Sequence, residues 1–362
     1  MANDGRIQEG CTSARRRKLK QTCESTGPHS GATAEKNEKS TIPAERHFVT
    51  IILCTTGLKP SLIRCLEGLT DQSRHYLNSE VIVVLNGLED AAFAQTVSRF
   101  PVALLNEPRP GVSIARNHAV PRAKGEILVF VDDDILFDPN WLEEMIDGFE
   151  DPKVACVTGR VIPAGQLSIT AERADRYYTS ERALSEWTLD ASNPNWYQYI
   201  VGEPVGFGCN MAFRKDFLLN YSLFPDDLGA GSLIGGGDEF YMYLQVVKHG
   251  FRIRHVPTAA VTHFFDNSNQ KQKARNAQLY SGSVAFALKI FLEEKHLRIA
   301  TVKWVFSALK RRVRRVWTRK AITSEPQELL SPCEKVLAYL RGVVIYWKSR
   351  RLENGGTSAP TQ

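Results

Sequence analysis

No run of about 18 uninterrupted apolar residues occurs in the 362-residue chain, which argues against a membrane-spanning helix. No apolar stretch follows the basic residues of Met1 to Lys20, so a secretory signal is not expected. The seven cysteines, Cys11, Cys23, Cys54, Cys65, Cys156, Cys209 and Cys333, are odd in number and form no CxxC pair. That argues against a disulfide scaffold or a structural zinc site and for reduced thiols in the cytoplasm. Cys54 and Cys156 lie in apolar runs and are expected in the core. No internal repeat is found. From Lys295 to Ser324 there is no acidic residue at all, against ten Lys and Arg.

Hydrophobic residues make up 43% of the chain and charged residues 24%, so most of it can bury a core and fold. The length predicts about two units, or one large α/β domain with appendages. The net charge is +6, from 46 Lys and Arg against 40 Asp and Glu. Without the ten basic residues of the acid-free stretch, 36 remain against those 40 acids. The basicity belongs to one segment, and any partner inferred from charge belongs there too.

Residues 1–46 are polar and cannot offset their ordering entropy by burial, so a disordered arm is expected. Its Arg15-Arg16-Arg17-Lys18 run reads as a solvated tail. Phe48 to Cys54 is a continuous apolar run rich in β-branched residues, the pattern of a strand buried on both faces. Leu62, Ile63, Leu66 and Leu69 follow at helical spacing. Val81 to Leu85, Val102 to Leu105 and Ile127 to Val131 read as further strands, with a helix over Gly111 to Ala123. Strands alternating with helices predict an α/β fold, a Rossmann-like, mostly parallel sheet flanked by helices. In such sheets ligands bind beyond the carboxyl ends of the strands.

Val154 to Val161, the run from Gly206 to Phe213, and Ile253 to His263 complete the expected strands, with a helix over Asp238 to His249. Ser168 to Tyr199 is polar and rich in Trp and Tyr. It reads as an insert whose aromatics pack in the core rather than stack on a ligand. From Asn276 the chain reads as helical. The expected division is an arm over 1–46, an α/β domain over 47–275, a basic amphipathic helical tail over 276–350 and a disordered C-terminus over 351–362.

Asp132, Asp133 and Asp134 directly follow the strand Ile127 to Val131. Carboxylates within about 4–6 Å raise one another's pKa, and a divalent cation removes that cost. Mg²⁺ or Mn²⁺ suits the position, because hard cations take oxygen ligands, commonly one or two carboxylates with substrate phosphates. An acidic loop capping the helix near Pro139 is the alternative. Asp238 and Glu239 follow Gly235-Gly236-Gly237 and open a helix. They are either ordinary dipole partners of that helix or acids facing a ligand that the glycines let approach.

Thr50 to Leu69, Glu80 to Gly87, Ala115-Arg116-Asn117, Lys124 to Asp134, Pro139 to Leu142, Gly208 to Arg214, and Gly229-Ala230-Gly231 with Gly235 to Glu239 occur in an order that resembles glycosyltransferase family 2. The resemblance runs from about Phe48 to about Asp266. It implies a GT-A fold over 47–275 with a C-terminal helical extension. It also implies metal-dependent, inverting transfer of a sugar from a nucleotide-diphosphate donor to a carbohydrate or lipid-linked hydroxyl acceptor, in polysaccharide or glycoconjugate synthesis. The cofactor would be Mn²⁺ or Mg²⁺. By the same resemblance, Asp132 contacts the donor ribose, Asp134 binds the metal, and His263 helps bind metal or diphosphate. Thr55, Asn86 and Arg116 fall on the donor-nucleotide side, Asn86 standing where the family often has a base-contacting Asp. The family's acid pair is usually Glu-Asp and here is Asp238-Glu239. Its second member is implied as the base, so Glu239, with Asp238 as the other catalytic candidate. Gln245 stands where an Arg is common.

Leu297, Val302, Val305, Phe306, Leu309, Val313 and Val316 recur every three or four residues, with Lys303, Lys310, Arg311 and Arg314 opposite. This predicts a basic amphipathic helix. Val336 to Trp347 is a second such segment, interrupted by Arg341. The expected partner of 295–320 is an anionic membrane surface, where each basic residue contributes about 1 kcal/mol; nucleic acid is not the expected partner. The expected location is the cytoplasm, peripheral on the cytoplasmic face of a membrane. Two other functions match parts of the pattern. A sugar-1-phosphate nucleotidyltransferase would need a better phosphate loop than Thr55 to Pro60. A non-catalytic basic membrane- or nucleic-acid-binding protein with a degenerate transferase domain would not need the intact Asp132, Asp134 and Asp238-Glu239.

Overall fold

The computed structural model describes residues 47–164, 175–203, 205–264, 269–318 and 330–355. The expectations for the arm over 1–46, for Arg319 and Lys320, and for 356–362 of the C-terminal segment lie outside these residues, whereas 351–355, expected to be disordered, are helical. The strands are β1 (Val49–Thr55), β2 (Ser79–Asn86), β3 (Ala103–Glu107), β4 (Ile127–Val131), β5 (Ile135–Phe137), β6 (Val154–Ala164), β7 (Trp187–Leu189), β8 (Asn210–Arg214) and β9 (Arg252–Phe264). The helices are α1 (Pro60–His75), α2 (Ala91–Val97), α3 (Val112–Ala119), α4 (Trp141–Asp147), α5 (Glu181–Leu184), α6 (Trp196–Gly202), α7 (Lys215–Asn220), α8 (Asp238–Lys248), α9 (Asn269–Glu293), α10 (Arg298–Thr318) and α11 (Pro332–Gly355).

β1 lies between β2 and β4, all parallel, with β3 parallel outside β2. Side chains alternate between the faces. Ile52, Ile82, Val84, Leu128 and Phe130 point to one side, and Ile51, Leu53, Val81, Val83, Val129 and Val131 to the other. Both faces are apolar, so both need cover, and that is why these strands are continuous apolar runs in the sequence. Leu62 and Leu66 of α1, Phe93 of α2, and Trp141 and Met145 of α4 join the second face. Ala115 of α3, Met242 and Leu244 of α8, and Phe286 and Ile290 of α9 join the first. Each large apolar side chain so buried contributes about 1.5–3 kcal/mol.

Beyond β4 the sheet changes direction. β8 runs antiparallel to β4 and to β6, β9 runs parallel to β6, and β5 and β7 run antiparallel to β9. The expected parallel arrangement therefore holds over β1–β4 and again between β6 and β9, in an otherwise mixed sheet. Apolar runs mark which strands are buried but not which way they run. β5 and β7, three residues each, are too short to leave a period in the sequence.

The aromatic segment packs. Tyr197 is buried and its hydroxyl lies 2.8 Å from that of Thr301. Trp187 stacks on His255 with ring centroids 5.2 Å apart. The Arg182 guanidinium lies over the rings of both Trp187 and Tyr199. Cys156 is fully buried, as expected, whereas Cys54 is half-buried.

Gly159, on β6, shows how tightly the two halves of the sheet meet. A Cβ there would overlap the carbonyl oxygen of Ala259 and the amide of Asn210. That amide donates to the carbonyls of Arg160 and Ala259, both at 2.9 Å, and its oxygen accepts from Trp141 Nε1 at 2.8 Å. Backbone and a triply bonded side chain cannot yield cheaply. Gly159→Ala is therefore expected to cost about 1–3 kcal/mol of stability, read as a lower urea midpoint with an unchanged slope.

The C-terminal helices continue the same unit. α10 and α11 both pack on α9. Among the described residues no helix is long and apolar enough to cross a membrane.

Candidate active site

The three acids form the turn from β4 to β5, at the carboxyl end of the parallel strands. The middle one is spent on the fold. Asp133 is buried, accepts the hydroxyl hydrogen bond of Thr55 at the end of β1, and pairs with Lys59 Nζ at 2.8 Å. This ties the loop between β1 and α1 to the acidic turn. Asp132 and Asp134, its neighbours, stay partly exposed.

His263 reaches the same turn from β9, because the β5–β9 ladder sets it opposite Ile135. Its Nε2 is 3.3 Å from Asp134 Oδ1. Asp132, Cys209 and His263 each offer a ligand atom, all within 4.8 Å of one another. Burial raises the pKa of both Asp132 and Asp134. The strongest opposing influence is Arg116 at Asp132 and His263 at Asp134. Two strained carboxylates beside an imidazole form a donor set that fits a divalent cation, which would relieve the carboxylates' mutual repulsion.

Arg116, from α3, joins the acidic turn to the acid pair of α8. It is buried, and its Nη1 lies 2.5 Å from Asp238 Oδ2. Nη2 donates to the carbonyl of Gly208 at 3.0 Å and lies 3.6 Å from Asp132 Oδ1. The rings of Phe130 and Phe224 sit against the guanidinium. Burial opposes the charge on Arg116, but Asp238 and Asp132 outweigh it and its pKa is raised.

α8 begins after Gly237, whose φ of +85° is left-handed. A Cβ there would meet the ring of Phe286 at 2.9 Å, so both conformation and space require glycine. The turn sends the two acids different ways. Asp238 is buried on Arg116, while Glu239 remains half-buried. The Glu239 carboxyl is pushed well above the usual range by burial, by the charge of Asp238 and by a hydrogen bond with it.

The structure thus brings Thr55, Arg116, Asp132, Asp134, Asp238 and His263 together around the acidic turn, with Glu239 next to Asp238. Asn86 serves another purpose. At the end of β2, its Nδ2 donates to the carbonyls of Glu107 and Arg109, at 3.1 and 2.6 Å, and its Oδ1 accepts from the amide of Gly111 at 2.9 Å. It orients the loop that leads into α3 and so into Arg116. Gln245 is buried and donates to Glu294 at 2.9 Å.

Three participants were not expected from the sequence. Lys59 carries a signal, a lone basic residue four positions past the end of β1. The Gly208 carbonyl carries none, because any residue supplies one. Cys209 carries no signal of its own, and only the packing of β8 beside β4 places it among the acids.

Comparison with known proteins agrees with this architecture. Residues 50–221 match the family model described as glycosyl transferase family 2. A glucosyl-dolichyl phosphate glucuronosyltransferase of Haloferax volcanii is 22% identical over 189 residues, 50% of this chain and 57% of the relative. The putative glycosyltransferase EpsH of Bacillus subtilis is 25% identical over 191 residues, 50% of this chain and 51% of the relative. The chain spans little more than half the length of these curated relatives. Among solved structures, the mannosyltransferase PcManGT from Pyrobaculum calidifontis, in complex with GDP-Man and Mn²⁺, superposes with a TM-score of 0.50 at 17% identity. The match covers 88% of this chain and 89% of that one. The shared fold is GT-A.

Proposed function

We propose that this chain, whose residues 50–221 match the model of glycosyl transferase family 2, transfers a sugar, with inversion, from a nucleotide-diphosphate donor to a hydroxyl of a glycan or lipid-linked acceptor. The product belongs to polysaccharide or glycoconjugate synthesis. One observation carries the proposal: Arg116 bridges Asp132 of the acidic turn and Asp238 of the acid pair, so a donor-side and an acceptor-side group share one rigid link. The name of the Haloferax volcanii relative, which includes a dolichyl phosphate, supports a lipid-linked acceptor.

Asp134 and His263 would hold a divalent cation, Mn²⁺ or Mg²⁺, with Asp132 at the donor ribose. When bound, that cation supplies positive charge to the departing diphosphate. Thr55 and Lys59 keep the acidic turn in place through Asp133. Asn86 and Arg116 complete the nucleotide side, Asn86 by orienting the loop before α3. Glu239 takes the proton of the acceptor hydroxyl as its oxygen bonds to the anomeric carbon and the diphosphate leaves. Asp238, held by Arg116, fixes the first turn of α8. The chain works at the cytoplasmic face of a membrane, attached peripherally through the basic segment 295–320.

The base must be unprotonated to act, and the pKa of Glu239 is raised. The rate is therefore expected to fall as pH drops through a value above the ordinary carboxylate range. Asp238→Asn removes a charge that raises the Glu239 pKa, so it should move this limb to lower pH. A pH–rate profile of both proteins checks the shift; an unmoved limb contradicts the assignment.

A panel of nucleotide sugars, tested by thermal shift and by donor hydrolysis with and without Mn²⁺, tests the activity. Mn²⁺-dependent stabilisation with release of a nucleoside diphosphate is the expected result. Pyrophosphate release from a nucleoside triphosphate and a sugar 1-phosphate would instead identify a nucleotidyltransferase.

A further inference from the structure

α11 has the reverse of the usual polarity for a helix on a protein surface. The side packed on α9 presents Ala338, Gly342, Tyr346 and Ser349, all buried. Gly342 is required there, since a Cβ would overlap the carbonyl oxygen of Ser281. The opposite side presents Val336, Leu337, Leu340, Val343, Val344 and Trp347, each 40–66% exposed. A helix facing water buries its large apolar side chains and shows its polar ones. α10 repeats the inversion, burying Thr301 and exposing Ile299, Val302, Val305 and Phe306.

Charge identifies what covers these faces. Between Lys335 and Leu352 there is no acidic residue, and Arg341, Lys348 and Arg351 are exposed. Lys303 and Lys310 are exposed on α10, within the acid-free stretch that begins at Lys295. A second copy of this chain is a poor partner. A two-fold contact sets a patch against itself, so these basic stretches would meet with no acid between them. The phosphates of an anionic bilayer are complementary instead. Large apolar residues between basic ones are also the composition of helices that lie in the headgroup region. There Lys and Arg extend to the phosphates and Trp favours the interface.

We propose that the outer faces of α10 and α11 dock on an anionic lipid surface, with α11 supplying most of the inserted side chains. This deepens the peripheral attachment stated above, and rests on the transferase function only for the acceptor it brings near. The docked helix is also tied to the acid pair. Ser349 of α11 and Lys289 of α9 both bond to Asp227 Oδ2, each at 3.1 Å. Asp227 precedes the glycine-rich loop that leads to Asp238 and Glu239.

The test is flotation of the full chain with vesicles of phosphatidylglycerol and phosphatidylcholine, or of phosphatidylcholine alone, together with quenching of tryptophan by brominated lipid. Binding to the anionic vesicles only, weakened by salt, is expected. Leu340→Glu with Val344→Glu should reduce partitioning about tenfold or more, with no fall in melting temperature because both positions are exposed. Trp347→Phe should remove most of the quenching while binding persists. Equal binding to neutral vesicles, tighter binding to duplex DNA, or a concentration-dependent dimer that the double variant dissolves would each overturn the proposal. Mn²⁺-dependent nucleotide binding, measured by calorimetry on the same samples, separates failure of this surface from failure of the transferase function.

Discussion

Glu239→Gln is expected to lower the single-turnover transfer rate by about 10²–10⁴-fold, the usual cost of losing a general base, while donor affinity stays near that of the unaltered protein. The two acids that open α8 are neighbours in sequence but differ in surroundings. Adjacent helical residues point about 100° apart, and here one direction leads to Arg116. Asp238 is buried in that pair and cannot leave it without stranding a buried guanidinium. Glu239 is half-buried, and its raised pKa gives it the proton affinity that a base needs. The glutamine variant keeps size and hydrogen bonding and removes only the proton acceptor. Asp238→Asn should behave in the opposite way. It breaks a buried ion pair, a change that costs up to about 3–5 kcal/mol, and affects rate less than stability. If Asp238→Asn is the slower enzyme and Glu239→Gln keeps near-normal turnover, the base is Asp238.

Asp134→Ala is expected to remove the Mn²⁺-dependent part of nucleoside diphosphate affinity, a loss of about 100-fold or more, because a bound cation contributes several kcal/mol of charge stabilisation. Asp134 is the partly exposed acid in contact with His263. Asp133 is already committed to Thr55 and Lys59, so it cannot replace Asp134 without freeing the loop after β1. The variant should also be a little easier to fold in the absence of metal. Burial raises the pKa of Asp134 despite the opposing charge of His263, so at neutral pH its own charge opposes folding. Calorimetry with and without Mn²⁺ reads the binding loss, and unchanged Mn²⁺-dependent binding in the variant would reassign the ligand.

Much of this was legible in the sequence for a physical reason. A strand covered on both faces has to be apolar along its whole length, so β1, β2 and β4 announce themselves, and the acids after β4 stand out against them. Strand direction left no such trace, and the antiparallel entry of β8 had to be seen. It is β8 that brings Cys209 to the acidic turn and Asn210 to Trp141. Nothing in the sequence sets Asp133 apart as the acid with a fixed structural task, because hydrogen bonds to Thr55 and Lys59 carry no periodicity. Asn86 was identified with the nucleotide side. Its contacts are to the loop before α3, a role that depends on where the carbonyls of Glu107 and Arg109 lie. For α11 the amphipathic pattern was visible, but not which side faces out. Small residues at 338, 342 and 349 allow close packing on α9 and leave the large ones outside.

The most direct test of the central claim is a proton NMR time course of an accepted nucleotide sugar incubated with the protein and Mn²⁺. The expected result is release of a nucleoside diphosphate together with a sugar product of inverted anomeric configuration, formed far more slowly by Glu239→Gln. Retained configuration, or turnover that Glu239→Gln leaves unchanged, would contradict it.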